Sequence, residues 1–430
     1  MRFDRLPFRG RSGGSGGGLA AALPADAAPR SRAGLFAVAD FRRLWTVGLV
    51  VFAVRWLEMI VVGVFVYQRT GSPFDVALMT MLRMLPMALF GAVIGALAER
   101  IERRAALVVV VLSMLCTSLT LAVLAYAGRL EVWPIGVASF FNGIAWAADN
   151  PVRRVMIGDV VGHERLGAAM SVDVGANNAS RMLGPTVGGL LLAHFGIAGA
   201  FTASVVCYTV AVGAALRIGH RDAPMPAGSA SVLRRMLDGL ILVRHDRRLI
   251  ATLSITIIYN LFGWPFTAMI PVIGQDSLHL GAGGIGMLAS MDGIGAFVGA
   301  VAIALFARPA HYRMLYVGGV SIYLVMLIAF ALVPSVPLAG AALLFTGLSS
   351  AGFSVMQATL IYLAAPPEMR SRMYGVLSVC IGVGPAGFLA IGILADAIGA
   401  PFAIALTGSL GLAAMVATRR QWRLIGAAPA

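Results

Sequence analysis

Residues 146–189 read WAADNPVRRVMIGDVVGHERLGAAMSVDVGANNASRMLGPTVGG. Apolar sequence of helical character surrounds this stretch on both sides, yet the stretch itself contains acids, arginines and a Gly-Pro pair. Charged side chains within membrane-spanning sequence are costly, and they usually mark a working part of the protein. We therefore expect these residues to form a loop between two spans, with the helix ends that flank it, and to contribute to function.

The composition indicates a polytopic membrane protein rather than a soluble enzyme. Of the 430 residues, 59% are hydrophobic and 12% are charged, whereas soluble domains carry about 25% charged residues. All 33 basic residues are arginine, so the chain lacks the lysine of a phosphate-binding loop. The sequence thus predicts no nucleotide-driven pump, no enzymatic activity, no metal site and no cofactor.

The apolar segments predict an all-α membrane protein with twelve transmembrane helices in two pseudo-symmetric six-helix bundles. Each segment is long enough to cross a bilayer, which takes about 20 residues. We place the spans at 44–67, 74–98, 105–127, 133–156, 166–193, 198–217, 248–274, 283–307, 313–333, 337–364, 373–396 and 400–418. The predicted domains are an N-terminal tail (1–38), a first bundle (39–217), a central loop (218–247), a second bundle (248–418) and a C-terminal tail (419–430).

The positions of the arginines orient the chain in the membrane. With twelve spans, 28 of the 33 arginines fall in the two tails, the central loop, the loops on the same side and the span ends that adjoin them. The remaining five are Arg69 and Arg129 on the opposite face, and Arg55, Arg83 and Arg181 within spans. Because basic loops stay in the cytoplasm, we expect both termini, and the central loop, to be cytoplasmic. The net charge of +14 then reflects topology and contact with anionic lipid, not nucleic acid.

A repeat relates the two halves of the sequence. Arg165 corresponds to Arg370 at a shift of 205 residues, and Gly196 corresponds to Gly399 at a shift of 203. Two longer matches are Arg42-Arg43-Leu44 with Arg247-Arg248-Leu249, and Gly184-Pro185 with Gly384-Pro385. Parallel repeats of six spans are an architecture of secondary transporters.

A charged loop follows the second predicted span and supplies a candidate cytoplasmic gate. Its residues are Gly95, Glu99, Arg100, Arg103 and Arg104. An acid at a helix end with arginines beside it can pair with neighbouring helix ends and hold one conformation closed. An ordinary basic loop is the alternative. The spacing resembles the Gly-x-x-x-Asp-Arg-x-x-Arg-Arg signature of the major facilitator superfamily, with a glutamate in place of the usual aspartate.

Further motifs resemble one branch of that superfamily, the enterobactin exporters and macrolide-efflux proteins. They are Arg83-x-x-Pro86, Asp149-Asn150-Pro151-x-Arg153, His163-Glu164-Arg165-Leu166 and Asn178-x-x-Arg181-x-x-Gly184-Pro185. The resemblance covers about residues 40–420. It implies export across a bacterial inner membrane, driven by the proton gradient. We assign Asp149 and Arg153 to the gate, because burying them as a pair costs less than burying either alone.

The fifth predicted span contains a candidate hinge between the bundles, formed by Arg181, Gly184, Pro185, Gly188 and Gly189. Glycines at this spacing let another helix approach closely, and the proline removes a backbone hydrogen bond and permits a bend. The segment resembles the antiporter signature of proton-driven exporters, without the glycines that usually precede it. Helix packing without a functional role is the alternative.

The first predicted span supplies the candidate for proton coupling. Arg55 and Glu58 lie three residues apart near its centre, so they share a helix face. We assign both to a substrate cavity and the coupling of protons to Glu58; a structural ion pair between the two is the alternative. The repeat places Asn260 and Trp264 in the corresponding span, where they offer a hydrogen bond and an aromatic wall to the cavity. Ordinary helix packing of these two side chains is the alternative.

These observations predict proton-coupled efflux of a small amphipathic or aromatic molecule, a drug or a siderophore, by alternating access. The expected partners are that substrate, protons and the lipid bilayer, and the sequence assigns no oligomeric state. Two alternatives stay open. One is a facilitator or proton symporter that imports a small solute, and the other is a non-transport membrane protein of the same fold.

Overall fold

The structure is a computed structural model that describes residues 34–98, 102–220, 243–244, 246–365 and 369–425. Its helices are α1 (Ala39–Thr70), α2 (Pro73–Ala98), α3 (Arg103–Tyr126), α4 (Val132–Val161), α5 (Leu166–Leu216), α6 (Arg247–Ile258), α7 (Ala282–Phe306), α8 (Tyr312–Leu332), α9 (Val336–Ala364), α10 (Arg370–Ile381), α11 (Gly384–Ile398) and α12 (Ala400–Ala417).

The all-α membrane fold predicted from the sequence is confirmed. Within the described ranges the chain forms helices and no strand, and ten helical segments there are long and apolar enough to cross a membrane. The exact number of twelve spans stays a prediction. One of the ten segments is α5, whose 51 residues extend about 76 Å at 1.5 Å per residue, far more than one crossing needs. α4, with 30 residues, is not among the ten.

A glycine divides the long helix α5. Gly196 has φ 65° and ψ −172°, a conformation that glycine adopts without steric cost. Its partner in the sequence repeat, Gly399, has φ 85° and separates α11 from α12. The structure differs from the sequence expectation at Pro185, which lies inside α5 without a break in helical geometry. Only the second-half counterpart of Pro185 follows an interruption, because α11 begins at Gly384 after two non-helical residues.

The segment that follows α6 is helical but irregular. A π-helical turn at Tyr259–Gly263 leads into a 3-10 turn at Trp264–Met269, and a second π-helical turn occupies Ile273–Ser277. Prolines 265 and 271 lie in this segment, and each removes a backbone donor, so regular α-helical bonding cannot continue. π-helical turns are frequent at functional sites, and this segment places the aromatic side chain predicted to line the cavity.

Residues 34–220 are called the first half below and residues 246–425 the second half. The arginine-rich end of the molecule holds residues 102–104, 162–165 and 307–313, and the opposite end holds residues 71–72, 278–281 and 399. The halves meet where α5 packs against α7 and α2 packs against α11. Glycines bring the first of these pairs together: a Cβ at Gly286 would collide with the carbonyl oxygen of Pro185.

Polar contacts close the opposite end. The carboxylate of Asp396 in the second half accepts hydrogen bonds from the Ser72 hydroxyl (3.2 Å) and from the backbone N–H of Phe74 (3.0 Å) in the first half. The Tyr67 hydroxyl also donates to the Asp276 carboxylate across the halves. The hydrogen bonds between the halves include these contacts at the opposite end and the contacts of Arg181 and Thr186 near the middle of the spans.

Candidate functional site

A cavity of about 30 Å³ lies between the halves at mid-depth of the spans, which is room for one or two water molecules. Both halves contribute to its lining. The first half provides two arginines, a tryptophan, a serine and several methionines, and the second half provides two aromatic rings and a threonine. These residues include Arg55, Trp56, Met59, Met79, Arg83, Met84, Ser139, Trp264, Thr267 and Phe388.

Arg55 lines this cavity, where the sequence places it, but its partners differ from those expected. Its guanidinium carbon lies 3.8 Å from the ring centroid of Trp146 and 5.3 Å from that of Trp56, which is cation–π geometry. No carboxylate of the described residues lies within ion-pair distance of it. The alternative of a structural Arg55–Glu58 pair is therefore wrong: side chains on one helix face can still point to different neighbours.

Glu58 is buried one layer behind the cavity, with 3% of its side chain exposed. One of its carboxylate oxygens accepts a hydrogen bond of 2.9 Å from the Ser118 hydroxyl of α3. The other lies 3.8 Å from Nη2 of Arg83 in α2, an ion-pair distance too long for a hydrogen bond. The carboxylate thus reaches the cavity only through Arg83, which lines it.

The second half supplies an aromatic wall. Trp264 lines the cavity as predicted, and its ring meets that of Phe388 edge-on, with centroids 5.7 Å apart. Asn260 does not line the cavity. It is 3% exposed, and its amide donates to the backbone oxygen of Thr256 in its own segment at 2.9 Å. Trp264 thus faces the cavity, whereas Asn260 donates its amide hydrogen bond to the backbone of its own segment.

Asp149 and Arg153 form part of a fully buried charge cluster inside the first half. Nε of Arg153 donates to both oxygens of Asp149, at 3.2 and 3.3 Å, and its Nη1 donates to Asp173 of α5. The guanidinium also lies 4.8 Å from the ring centroid of Phe52 in α1. Each of these partners belongs to the first half, so the cluster joins α1, α4 and α5 rather than the two halves.

The loop predicted as a gate is described in part. Gly95 lies in α2, whereas Glu99 and Arg100 lie outside the described residues. Nη1 of Arg103 pairs with the Asp159 carboxylate of α4 at 2.8 Å, and Nη2 of Arg104 donates to the Leu216 carbonyl oxygen at 2.7 Å. These bonds tie the beginning of α3 to the ends of α4 and α5, again within the first half.

The predicted hinge residues divide between two neighbours. Arg181 forms an ion pair with Asp292 of α7, at 2.5 Å from Nη2 and 3.2 Å from Nε, and it crosses the boundary between the halves. Pro185 and Gly189 pack against the same helix. Gly184 and Gly188 instead face α1: a Cβ on either would lie 2.7 Å from Trp56 or Leu57. The glycine spacing predicted close helix approach but could not separate these two partners.

Several residues of the site were not assigned to it from the sequence. Trp56, Trp146 and Phe388 surround the arginines or line the cavity, and Ser118 bonds Glu58. Trp56 follows Arg55 directly, and a tryptophan next to an intramembrane arginine is a usable signal for cation–π contact. Ser118 carries no such signal, because its role depends on how α3 rotates against α1.

Comparisons with known proteins identify the family. A family model described as transmembrane secretion effector, of the major facilitator superfamily, matches residues 31–427. Macrolide efflux protein A of Streptococcus pyogenes is 23% identical over 386 residues, which is 86% of this chain and 93% of that protein. A multidrug efflux pump of Mycolicibacterium fortuitum is 25% identical over 370 residues, which is 82% of this chain and 86% of the pump.

Solved structures share the fold. A crystal structure of a nucleoside transporter superposes with a TM-score of 0.71 over 89% of this chain and 99% of that protein, at 12% sequence identity. A crystal structure of a peptide transporter superposes with a TM-score of 0.72 over 90% of this chain and 95% of that one, also at 12% identity. At this identity the likeness concerns architecture alone.

Proposed function

Because the chain belongs to the transmembrane secretion effector family of the major facilitator superfamily, we propose that it exports a small amphipathic or aromatic molecule in exchange for protons. Relatives named as macrolide and multidrug efflux proteins align along most of its length. The cavity between the halves supports the same activity, since aromatic rings, methionines and arginines line it together. Such a lining suits a cargo with both apolar and polar parts.

Alternating access is the proposed mechanism, and the contacts between the halves support it. The opposite end is closed by hydrogen bonds to Asp396 and Asp276, which rigid-body rocking of the halves would break. Basic loops face the cytoplasm in membrane proteins. We accordingly place the arginine-rich end and both termini in the cytoplasm of a bacterial inner membrane, so that the described conformation is closed to the outside.

We propose that Glu58 binds the transported proton, and one observation supports this assignment. Its carboxylate is buried at mid-depth and its ion-pair partner, Arg83, lines the cavity. A proton on Glu58 would neutralise the carboxylate and release Arg83, which would change the charge presented to the cargo. A buried carboxylate held by one long ion pair and by hydroxyl groups is easier to protonate than one held by two short ion pairs.

Proteoliposomes containing the purified protein and a fluorescent amphipathic dye test the proposal. An imposed proton gradient is expected to drive dye against its own gradient in the wild type. The Glu58→Gln variant is expected to equilibrate dye without responding to protons, because glutamine keeps the shape and cannot carry the proton. Glu131→Gln, at an exposed position in the loop before α4, is the matched control and should behave as wild type.

The outcomes separate the parts of the proposal. If a proton gradient leaves dye flux unchanged in the wild type, proton exchange is wrong and a facilitator remains. If Glu58→Gln still concentrates dye, the proton travels on another group. Accumulation of dye on the side that protons enter would indicate import with protons and would contradict export.

A further inference from the structure

We propose that the cavity binds the carboxylate group of an organic anion with an apolar body, and that such anions are the cargo. This inference rests on the proposed export function and adds the chemical class of the molecule exported. The observation that carries it is the presence of two guanidinium groups, those of Arg55 and Arg83, on one buried cavity that holds too few acceptors for them.

Arg55 has no acceptor in the described chain. Its guanidinium group stacks on Trp146 and approaches Trp56, and those rings offer a π face but no hydrogen-bond acceptor to its five N–H donors. A guanidinium in a low-dielectric site without acceptors is costly. The cost falls when a ligand supplies oxygens, so this side chain favours a ligand that carries them.

Arg83 is also incompletely bonded. Its Nε is buried without a hydrogen-bond acceptor, and its Nη2 lies 3.8 Å from the carboxylate of Glu58, beyond hydrogen-bond distance. A carboxylate or similar planar anion matches the fork of N–H donors that a guanidinium presents. Two such forks on one cavity could share the two oxygens of a single carboxylate.

The other buried acids are engaged elsewhere. Asp149 and Asp173 bond Arg153 inside the first half, and Asp292 bonds Arg181 at the boundary between the halves. Ionised Glu58 is therefore the one carboxylate beside the two cavity arginines among the described residues. The group retains a net charge of +1, which one monovalent anion neutralises.

The rest of the lining selects for an apolar body on that anion. Trp56, Trp264 and Phe388 provide aromatic surface, and the methionines Met59, Met79 and Met84 provide adaptable apolar surface. An inorganic anion such as phosphate would satisfy the guanidinium groups but would leave these walls unused. An amphipathic carboxylate satisfies both parts of the site once rocking of the halves enlarges the cavity beyond the 30 Å³ of the described conformation.

A matched set of fluorescent probes tests the inference on the full-length protein in detergent. Dansylglycine carries a carboxylate, dansylglycinamide is its neutral analogue, and dansylcadaverine is a cation with the same fluorophore. Energy transfer from the tryptophans around the cavity reports binding. We expect dansylglycine to bind at least tenfold more tightly than the amide, and the cation to bind most weakly. Equal affinities for acid and amide would overturn the proposal.

Substitutions assign the preference to the cavity. Arg55→Gln should reduce dansylglycine affinity about tenfold and leave the affinity for the amide unchanged, which also shows that the variant is folded. Arg55→Lys should retain part of the preference, because it keeps the charge and loses the fork. Arg129→Gln, at an exposed loop position, should change nothing. An unchanged preference for the acid in Arg55→Gln would refute the assignment.

Competition and transport complete the test. Naphthaleneacetate, which has an apolar body, should displace dansylglycine better than inorganic phosphate does. Equal displacement by the two anions would contradict the role of the apolar walls. In proteoliposomes, exchange of one proton for one monovalent anion moves two charges, and exchange for a neutral molecule moves one. An inside-negative potential should therefore accelerate export of dansylglycine more than export of the amide. Export of both with equal voltage dependence overturns this inference and leaves export standing. Selective binding without gradient-driven export overturns the proposed function, and with it the role of the anion as cargo, and leaves only the carboxylate-binding site standing.

Discussion

Two arginines of the first half, Arg153 and Arg55, show opposite ways of burying a positive charge. Arg153 is fully buried and bonds two carboxylates, Asp149 and Asp173, on two helices. Arg55 lines a cavity and contacts aromatic rings, and the described residues give it no carboxylate. Both residues lie in apolar spans, so the sequence presents them as equivalent candidates for function.

The difference indicates how the two charges are used. A buried arginine paired with two acids has its charge balanced by side chains of the protein, and it stabilises the packing of the helices that supply its partners. An arginine that faces a cavity without an acid has unmet bonding that a ligand can satisfy. Neutralisation by neighbours, rather than depth in the membrane, thus separates a structural charge from a ligand-binding one.

The largest effect expected from this comparison is on the Arg153 cluster. Arg153→Gln leaves Asp149 and Asp173 buried without their main partner, and removing one member of a buried pair costs about 3–5 kcal/mol. We expect a large fall in folded yield and in the temperature of unfolding in detergent. Thermal unfolding followed by tryptophan fluorescence measures this change.

The adjacent arginine provides the control. The side chain of Arg154 is 48% exposed and lies 3.6 Å from Asp173. Because exposed ion pairs contribute little, Arg154→Gln should change stability by about 0.5 kcal/mol or less. Equal losses in the two variants would show that burial and double pairing do not distinguish them.

A smaller loss of stability is expected from a substitution next to the cavity, at the partner of Glu58. Ser118 is fully buried and donates 2.9 Å to the carboxylate of Glu58, and a hydrogen bond to a charged group contributes about 1.5–3 kcal/mol. Ser118→Ala should lower the unfolding free energy by that amount, and it should also alter the proton dependence of transport in proteoliposomes.

Ser113→Ala on the same helix is the matched control. The Ser113 hydroxyl donates 2.7 Å to the Val110 carbonyl oxygen in its own helix, so its loss leaves no carboxylate without a partner. This variant should keep wild-type proton dependence. A Ser118→Ala protein that is as stable as Ser113→Ala would show that the carboxylate finds an equal partner elsewhere.

The sequence was sufficient to predict the fold because the features that determine the fold can be recognised in each segment separately. Long apolar segments and arginine-bearing loops predict an all-helical transporter fold without knowledge of any contact. The repeat also paired Gly196 with Gly399, and both have positive φ. A left-handed conformation at a helix junction is a local requirement, so glycine marks it in the sequence.

The sequence was insufficient for pairings, which depend on how helices rotate against one another. Arg55 and Glu58 are three residues apart, yet one contacts Trp146 of α4 and the other contacts Ser118 of α3. The ion pair of Arg181 with Asp292 joins residues 111 positions apart. The pattern around each residue predicts that it is buried or faces a cavity, but not which helix lies opposite.

The smallest expected effect concerns a carboxylate that water reaches. Asp396 is exposed and holds the opposite end closed through the hydroxyl of Ser72 and the N–H of Phe74, at the N-terminus of α2, where negative charge is favoured. Asp396→Ala should destabilise the closed conformation by about 0.5–1 kcal/mol, so the open conformation becomes about two- to fivefold more populated.

Labelling of a cysteine introduced at Thr80, which lines the cavity, measures this opening. The three native cysteines are replaced by serine, and a membrane-impermeant maleimide is added from outside the cell. Labelling two- to fivefold faster in Asp396→Ala, and less accelerated in Asp396→Asn, is the expected result. An acceleration of a hundredfold or more, which corresponds to the roughly 3–5 kcal/mol expected for a buried charge, would mean that exposure to water does not weaken this contact. Burial would then not explain the difference between Arg153 and Arg55.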